Sequence, residues 1–434
     1  MSKPLKISRR AVLAGVPAAA ALSLTQDRAA PAAEPARRPR VAALITEFRQ
    51  LSHAEVILDR FLEGFGWETR HHRPAVDVVS LYVDQFPAGD LSRERAARFP
   101  QLKIYPTIAE ALRAGSDKLA VDGVVIIGEH GDYPRNEKGQ TLYPRYEFFQ
   151  QTVDVFRHDG RTTPVFNDKH LSWDWAKARE MVDTAASMGF PFMAGSSLPV
   201  TWRIPSLEMP AGAGIEEVVG IGPGGVDSYD FHVLEAIQCL VERRRGGERG
   251  VARVKALRGE SVWQAMRADG WKAGGWDAAL FEACLCRSHQ LAPAREGFNH
   301  VYPTPDDIAR MVKDPVAYRI EYADGLQSTM LLADGLVGDI TVAARLAGRA
   351  KPFSTQMYLG ADHGMQPHNF DPLVWHIEQF LTSGKPSQPI ERTLLTTGLV
   401  AAGVDSLASG GKSLETPHLA IRYQPNPNST FRRT

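Results

Sequence analysis

Short, mostly apolar runs closed by polar residues or glycine dominate the first half of the chain. Residues 41–45, 76–83, 124–127, 164–166 and 191–194 are of this kind. Runs that are apolar without alternation suit strands buried on both faces of a parallel sheet. Between them the spacing turns helical. Ser172 is placed to cap a helix with Asp174 in its first turn and Gly189 as its stop, and Trp175, Ala178, Met181, Val182 and Ala185 form its buried stripe. A shorter helix is expected over 108–114. Strand and helix in alternation predict an α/β fold whose first domain, 41–203, is a Rossmann-like parallel sheet.

Beyond residue 203 the pattern changes. A strand is expected over 216–222 and a long helix opening at 224–232 and running to 241. The stretches 251–257, 317–322, 326–332, 339–344 and 354–358 are rich in strand formers, and Tyr318, Ile320 and Tyr322 alternate onto one face. With a helical segment at 277–288, this predicts a second, α+β domain over 204–369, an open, mainly antiparallel sheet with helices on one side. Amphipathic helices over 370–381 and 391–407 and a last strand over 419–423 make a carboxyl-terminal section, 370–434. A chain of 434 residues exceeds what one core usually serves.

The first 33 residues read as an address. Ser8-Arg9-Arg10 precedes a weakly apolar run over 11–24, and Ala30-Pro31-Ala32 offers a small-residue cleavage site, the pattern of a twin-arginine signal peptide. Export in the folded state to the periplasm or beyond is expected, with a basic linker over 34–40. The apolar run is too short and Ala-rich for a stable membrane anchor. Lys plus Arg and Asp plus Glu are both 50, so the basic bias of a nucleic-acid binder is absent. Three cysteines, Cys239, Cys284 and Cys286, are too few for a disulfide framework and are expected as buried thiols.

Polar clusters follow two of the buried strands: Glu129, His130 and Asp132 after 124–127, and Asn167, Asp168, Lys169 and His170 after 164–166. Open α/β sheets hold their ligands just past such strand ends. The first turn, Thr46 to His53, contains no glycine where a dinucleotide fingerprint needs G-x-G-x-x-G. Side chains there obstruct the close approach of a pyrophosphate, and Glu47 adds like charge. Arg49, Ser52 and His53 nonetheless offer donors to an anion over the first helix, and Asp84 ends the second strand where a ribose-binding carboxylate belongs. With Thr46, Glu129 and His130 they are the candidate cofactor residues, for NAD or NADP. An insertion rich in Gly and Pro carries Arg135 and Arg145, which suit either an anionic ligand or surface ion pairs.

The order strand, loop, helix, strand, acidic-Lys-x, capped helix, strand, Gly resembles the nucleotide-binding half of the glucose-fructose oxidoreductase, inositol dehydrogenase and MocA (Gfo/Idh/MocA) family. Its Glu-Lys-Pro signature is matched by Asp168-Lys169-His170, in which the Lys is kept. Gly224-Gly225 and the residues from Asp227 to His232 are similar to the family's Gly-Gly…Asp-x-x-x-His segment, with Ser228 where the family has Asp and with Asp227 and Asp230 beside it. The resemblance implies an oxidoreductase acting on a sugar or polyol hydroxyl, Lys169 and His232 as the proton-handling pair, Asp227, Asp168 and His170 near them, and a homo-oligomer formed through the second sheet. Removing a hydride from a carbinol carbon requires a base for the hydroxyl proton and a cation for the developing alkoxide. Two alternatives use the same crevice without nucleotide: a carbohydrate lyase, hydrolase or epimerase, and a non-catalytic periplasmic sugar-binding protein. The histidines lack i, i+4 spacing, so no metal site is assigned. Asp362-His363-Gly364 and His368 form a further His-bearing loop.

Overall fold

The strands Lys103–Tyr105, Asp77–Val83, Arg40–Ile45, Gly123–Ile127, Val165–Asp168 and Phe192–Gly195 lie side by side in that order, all parallel. In chain order this is 3-2-1-4-5-6, so the direction of winding reverses between Arg40–Ile45 and Gly123–Ile127 and opens a crevice at their carboxyl ends. All five residues of Gly123–Ile127 are buried, as an uninterrupted apolar run requires. The helix Trp175–Met188 is capped by Asp174, whose carboxylate accepts from Lys177 N at 2.9 Å, and ends at Gly189 with φ of +70°. Ser172 was the expected cap; its hydroxyl instead accepts from Asp174 N at 3.1 Å, leaving the carboxylate to take the helix amide. This computed structural model describes residues 37–360 and 367–433. The expected leader over 1–33 and the loop Asp362-His363-Gly364 lie outside them.

Among the described residues the second sheet has eight strands, in the order Leu414–Glu415, Val251–Arg258, Val316–Tyr322, Gln327–Leu332, Ile215–Gly222, Ile340–Leu346, Phe353–Met357 and Arg203–Ile204. Only the pair Ile215–Gly222 and Gln327–Leu332 is parallel. Tyr318, Ile320 and Tyr322 do share a face, packed with Val218, Met330 and Val342 under the helices Tyr229–Val241 and Ile390–Ala408. Part of the opposite face is also covered, contrary to the expectation of helices on one side. Val219, Ile221, Ala317, Leu331 and Ala343 point there and pack against Val262, Trp263, Leu280, Phe281, Cys284 and Ile308. Those come from Glu260–Arg267, Ala278–Arg287 and Pro305–Met311, of which the first and last were not foreseen. The patch the five strand residues form is apolar and would cost too much left bare, whereas Arg319 and Glu321, at alternate positions of the same face, are polar. The chain's own helices thus cover that apolar patch.

The expected strand over 419–423 is not one. Pro417–Leu419 is a 3-10 turn, the last strand is Leu414–Glu415, and Tyr423 makes a single bridge to Glu248. Leu419, Ile421 and Tyr423 do alternate into the core, but among the described residues they form no ladder beyond that bridge. Cys239 and Cys284 are buried as expected, whereas Cys286 is exposed on the same helix as Cys284. Ile390–Ala408 packs closely at two glycines. A Cβ on Gly398 would come 2.3 Å from Leu419, and one on Gly403 2.3 Å from the Tyr318 ring. Phe370–Ser383 packs through Leu373, Val374 and Ile377 on the side of the parallel sheet that carries His53–Glu63. Among the described residues no helix is long and apolar enough to cross a membrane.

Candidate active-site crevice

Two adjacent strand ends turn abruptly into the crevice. His130 has φ of +70° and Lys169 φ of +60°, conformations that cost roughly 1–3 kcal/mol each for such residues and persist where the surroundings force them. Lys169 Nζ lies 2.7 Å from Glu129 Oε1. The other carboxylate oxygen of Glu129 is paired with Arg145, whose guanidinium is fully buried, sits over the Tyr143 ring and reaches His170 Nε2 at 3.1 Å. Arg145 fits because residue 128 is glycine: a Cβ there would lie 2.6 Å from Arg145 Cγ. Burial alone would raise the Glu129 carboxyl, but Lys169 and Arg145 hold it well below the usual carboxylate range. Lys169 is therefore locked beside a permanent anion.

His53 opens the helix His53–Glu63, and its Nδ1 lies 2.6 Å from Asp168 Oδ2. Asp168 is fully buried, at the end of Val165–Asp168. His53 N also donates to His130 Nδ1 at 3.4 Å, and the ring packs edge-on against Phe370. Burial first, with His53 second, lowers the His130 imidazole to about 4. His232 enters from Tyr229–Val241; burial, then Lys169 and His53, hold it well below its ordinary value, and its Nδ1 has no hydrogen-bond partner. Around these groups lies a cavity of about 220 Å³, bounded by His53, Glu129, His130, Lys169 and His232, with Ser197 and Asn369 on the remaining wall. Asn369 Nδ2 donates to Ser197 Oγ at 2.9 Å.

Of the residues singled out in the sequence, Lys169, His232, His53, Glu129, His130 and Ser228 thus meet at one cavity, with Asp168 directly behind His53. The others lie elsewhere. His170 is buried behind Lys169 against Arg145. Asp227 belongs to the wall of a larger cavity of about 720 Å³ beyond Gly225, where it accepts from Thr141 N at 2.9 Å and burial, then Asp230, push it up to about 7. Asp230 is fully buried beneath the Tyr318 hydroxyl at 3.0 Å. Thr46 is fully buried and donates to Glu129 O at 2.7 Å, tying two strand ends together. Arg49 pairs with Glu47 at 2.5 Å, and Ser52 caps its helix, accepting from Glu55 N at 3.2 Å. Asp84 accepts from Tyr82 and Tyr133. Arg145, read as a surface or ligand-facing cation, is a buried strut. Ser197 and Asn369 were not anticipated; a serine past a strand end and an asparagine ahead of an apolar helix were the available signals.

No protein-family model matches the chain, and a comparison with curated proteins gives no match. Solved structures do resemble it. GenD2 from gentamicin A biosynthesis, in complex with NAD, is 14% identical with a TM-score of 0.54, covering 89% of this chain and 99% of its own. Myo-inositol dehydrogenase from Lactobacillus casei, in complex with NAD(H) and myo-inositol, is 11% identical with a TM-score of 0.52, covering 91% of this chain and 100% of its own. A probable dehydrogenase from Thermotoga maritima is 11% identical with a TM-score of 0.51, covering 88% and 99%. The likeness to inositol dehydrogenase read from the sequence holds at the level of the fold.

Proposed function

We propose that this chain is an exported enzyme of Gfo/Idh/MocA type that acts on a hydroxyl-bearing carbon of a sugar or polyol. The observation that carries the reading is the convergence of Lys169, His232 and the His53–Asp168 pair on one small cavity at the strand ends of this fold. Asp168 accepts from the Nδ1 side of His53, which leaves Nε2 as the basic nitrogen. A substrate hydroxyl gives its proton to that nitrogen: the O–H bond breaks, the electron pair stays on oxygen, and the Lys169 ammonium stabilises the alkoxide. His232, kept neutral, serves as a hydrogen-bond partner. The base is thus assigned to His53 rather than His232, because only His53 has a carboxylate behind it.

NAD or NADP is the cofactor class that the fold implies, and NAD is present in the GenD2 and inositol dehydrogenase structures. It would accept or give the hydride. The first turn does not fit its pyrophosphate in the standard manner. Phe48 is fully buried in the core, Glu47 and Arg49 close on each other, Arg49 N donates to Ser52 Oγ at 3.2 Å and Leu51 N to Glu55 Oε2 at 2.7 Å. That occupancy favours a second reading, proton transfer without nucleotide, as in an epimerase or lyase.

The test offers the mature protein a panel of sugars and polyols with and without NAD(P) and follows products by NMR. Turnover should fall by roughly 100-fold or more in both His53→Ala and Lys169→Ala. Turnover unchanged in either would end the proposal, and dependence on added nucleotide decides between the two readings. Stabilisation by a sugar with no product from any would identify a binding protein instead. Export is supported by the Arg9-Arg10 pattern, and Lys at both positions should keep the full chain in the cytoplasm.

A further inference from the structure

We infer that Asn369 and Ser197 act as a pair that reads a second hydroxyl of the substrate, distinct from the one held by His53 and Lys169. The inference deepens the sugar-converting reading and rests on it only for the class of molecule that enters the cavity. An alcohol that gives its proton to His53 and accepts from Lys169 has no proton left for another acceptor, so any further acceptor in the wall must meet a different hydroxyl.

Asn369 supplies that acceptor. It stands at the N-cap of Phe370–Ser383, where an asparagine ordinarily turns its side chain onto the first free amides of the helix, yet it makes no capping bond. Its Nδ2 donates instead to Ser197 Oγ at 2.9 Å, and Oδ1 has no hydrogen-bond partner among the described residues. The residue is 1% exposed and borders the cavity. A buried amide oxygen left without a donor costs free energy, and a ligand in the cavity is what can supply the donor.

Ser197 is held as firmly. Its carbonyl accepts from Val200 N at 3.1 Å and Thr201 N at 2.9 Å. Ser196, just before it, gives both its amide and its hydroxyl to Glu235 Oε2, each at 2.7 Å. Glu235 follows His232 on the same helix, Tyr229–Val241, so one helix fixes both His232 and the loop that carries Ser197. The Ser197 hydroxyl accepts from Asn369 and keeps its own proton to donate. The pair thus offers one acceptor and one donor, the complement of an alcohol. Turning the amide over preserves the match: Oδ1 then takes the serine proton, leaving Nδ2 to donate and Ser197 Oγ to accept.

The test is a cycle between side chain and ligand hydroxyl, read as binding. D-glucose, D-galactose, D-mannose and myo-inositol, with their monodeoxy analogues, are titrated by calorimetry into the protein and into Asn369→Leu and Ser197→Ala. For a ring that binds, loss of one hydroxyl other than the reacting one should weaken binding to the parent protein roughly tenfold or more. Asn369→Leu should bind the complete ring as weakly as the parent binds that analogue, and should tell the two apart by no more than about twofold. Ser197→Ala should act on the same hydroxyl and on no other, and it keeps the test open if melting shows Asn369→Leu unfolded. A penalty that persists in full in the folded variants, variants that bind the complete ring as tightly as the parent, or no binding of any of the four rings would each overturn the inference. Binding with this coupling but without product from any ring would sink the enzymatic reading and leave the hydroxyl-reading pair standing.

Discussion

Lys169 and His130 adopt backbone conformations that neither side chain favours, at the ends of neighbouring strands, and both project into the same cavity. Lys169 was legible because an acidic-Lys pair directly after a short buried strand has few places to go. The His53–Asp168 contact was not, since 115 positions separate the two and only the docking of the first helix beside the fifth parallel strand brings them together. Arg145 was misjudged for a related reason: an arginine in a Gly- and Pro-rich loop gives no sign that glycine 128 has made room for it inside. Two outcomes follow at this scale. Asp168→Asn replaces an acceptor by an amide that can donate to Nδ1, which moves the imidazole proton to Nε2 and removes the base. Turnover should drop by about 10²–10⁴-fold with little change in melting temperature, as steady-state kinetics and a thermal melt will show. His130 is depressed to about 4 from an unfolded value of 6.5, so its neutral form favours the folded state. That contribution is complete above pH 6.5 and is lost as pH falls toward 4, and it amounts to about 2–4 kcal/mol. In His130→Asn, which tolerates the left-handed backbone, denaturant unfolding should show a shallower loss of stability between pH 6.5 and 4.

At the scale of elements, the buried strands of the parallel sheet were the clearest signal, because a run apolar at successive positions suits a strand covered on both sides. The second sheet was clear in its near face only. Its far face is lined by Ala317, Leu331 and Ala343, and small or apolar residues there mean a cover of helices, which Glu260–Arg267 and Pro305–Met311 provide. These helices have 8 and 7 residues, too short for a strong periodic signal. Ile390–Ala408 shows what a single methyl can do. Its Gly403 faces Tyr318, whose hydroxyl holds buried Asp230 at the start of the helix that carries His232. Gly403→Ala is interior to a helix and gains propensity, yet the added carbon must displace that ring. We expect a net loss of about 1–3 kcal/mol in urea unfolding, against the gain of up to about 1 kcal/mol that propensity alone would give.

For the whole molecule, length and the change of pattern near residue 204 pointed to separate domains. In the structure the described residues from Arg38 on form one compact unit, and one apolar cluster runs from Ala42, Leu44 and Val124 of the parallel sheet to Val218, Tyr318 and Val342 of the other. Differential scanning calorimetry of the protein should therefore give one cooperative transition, with matching calorimetric and van't Hoff enthalpies; two resolved transitions would show that the sheets unfold independently. The same continuity matters for the site, since His53, Lys169 and Glu129 come from the parallel-sheet half while His232 comes from a helix packed on the second sheet.

The account stands on a sugar or polyol reaching His53, Lys169 and His232 at once. A crystal structure of the mature protein, soaked with a sugar or polyol that raises its melting temperature, tests this most directly. The prediction is one ring in the cavity, with a hydroxyl oxygen in hydrogen-bond reach of both His53 Nε2 and Lys169 Nζ and another near His232. A ligand seated elsewhere, or one in the cavity that touches neither His53 nor Lys169, would contradict it.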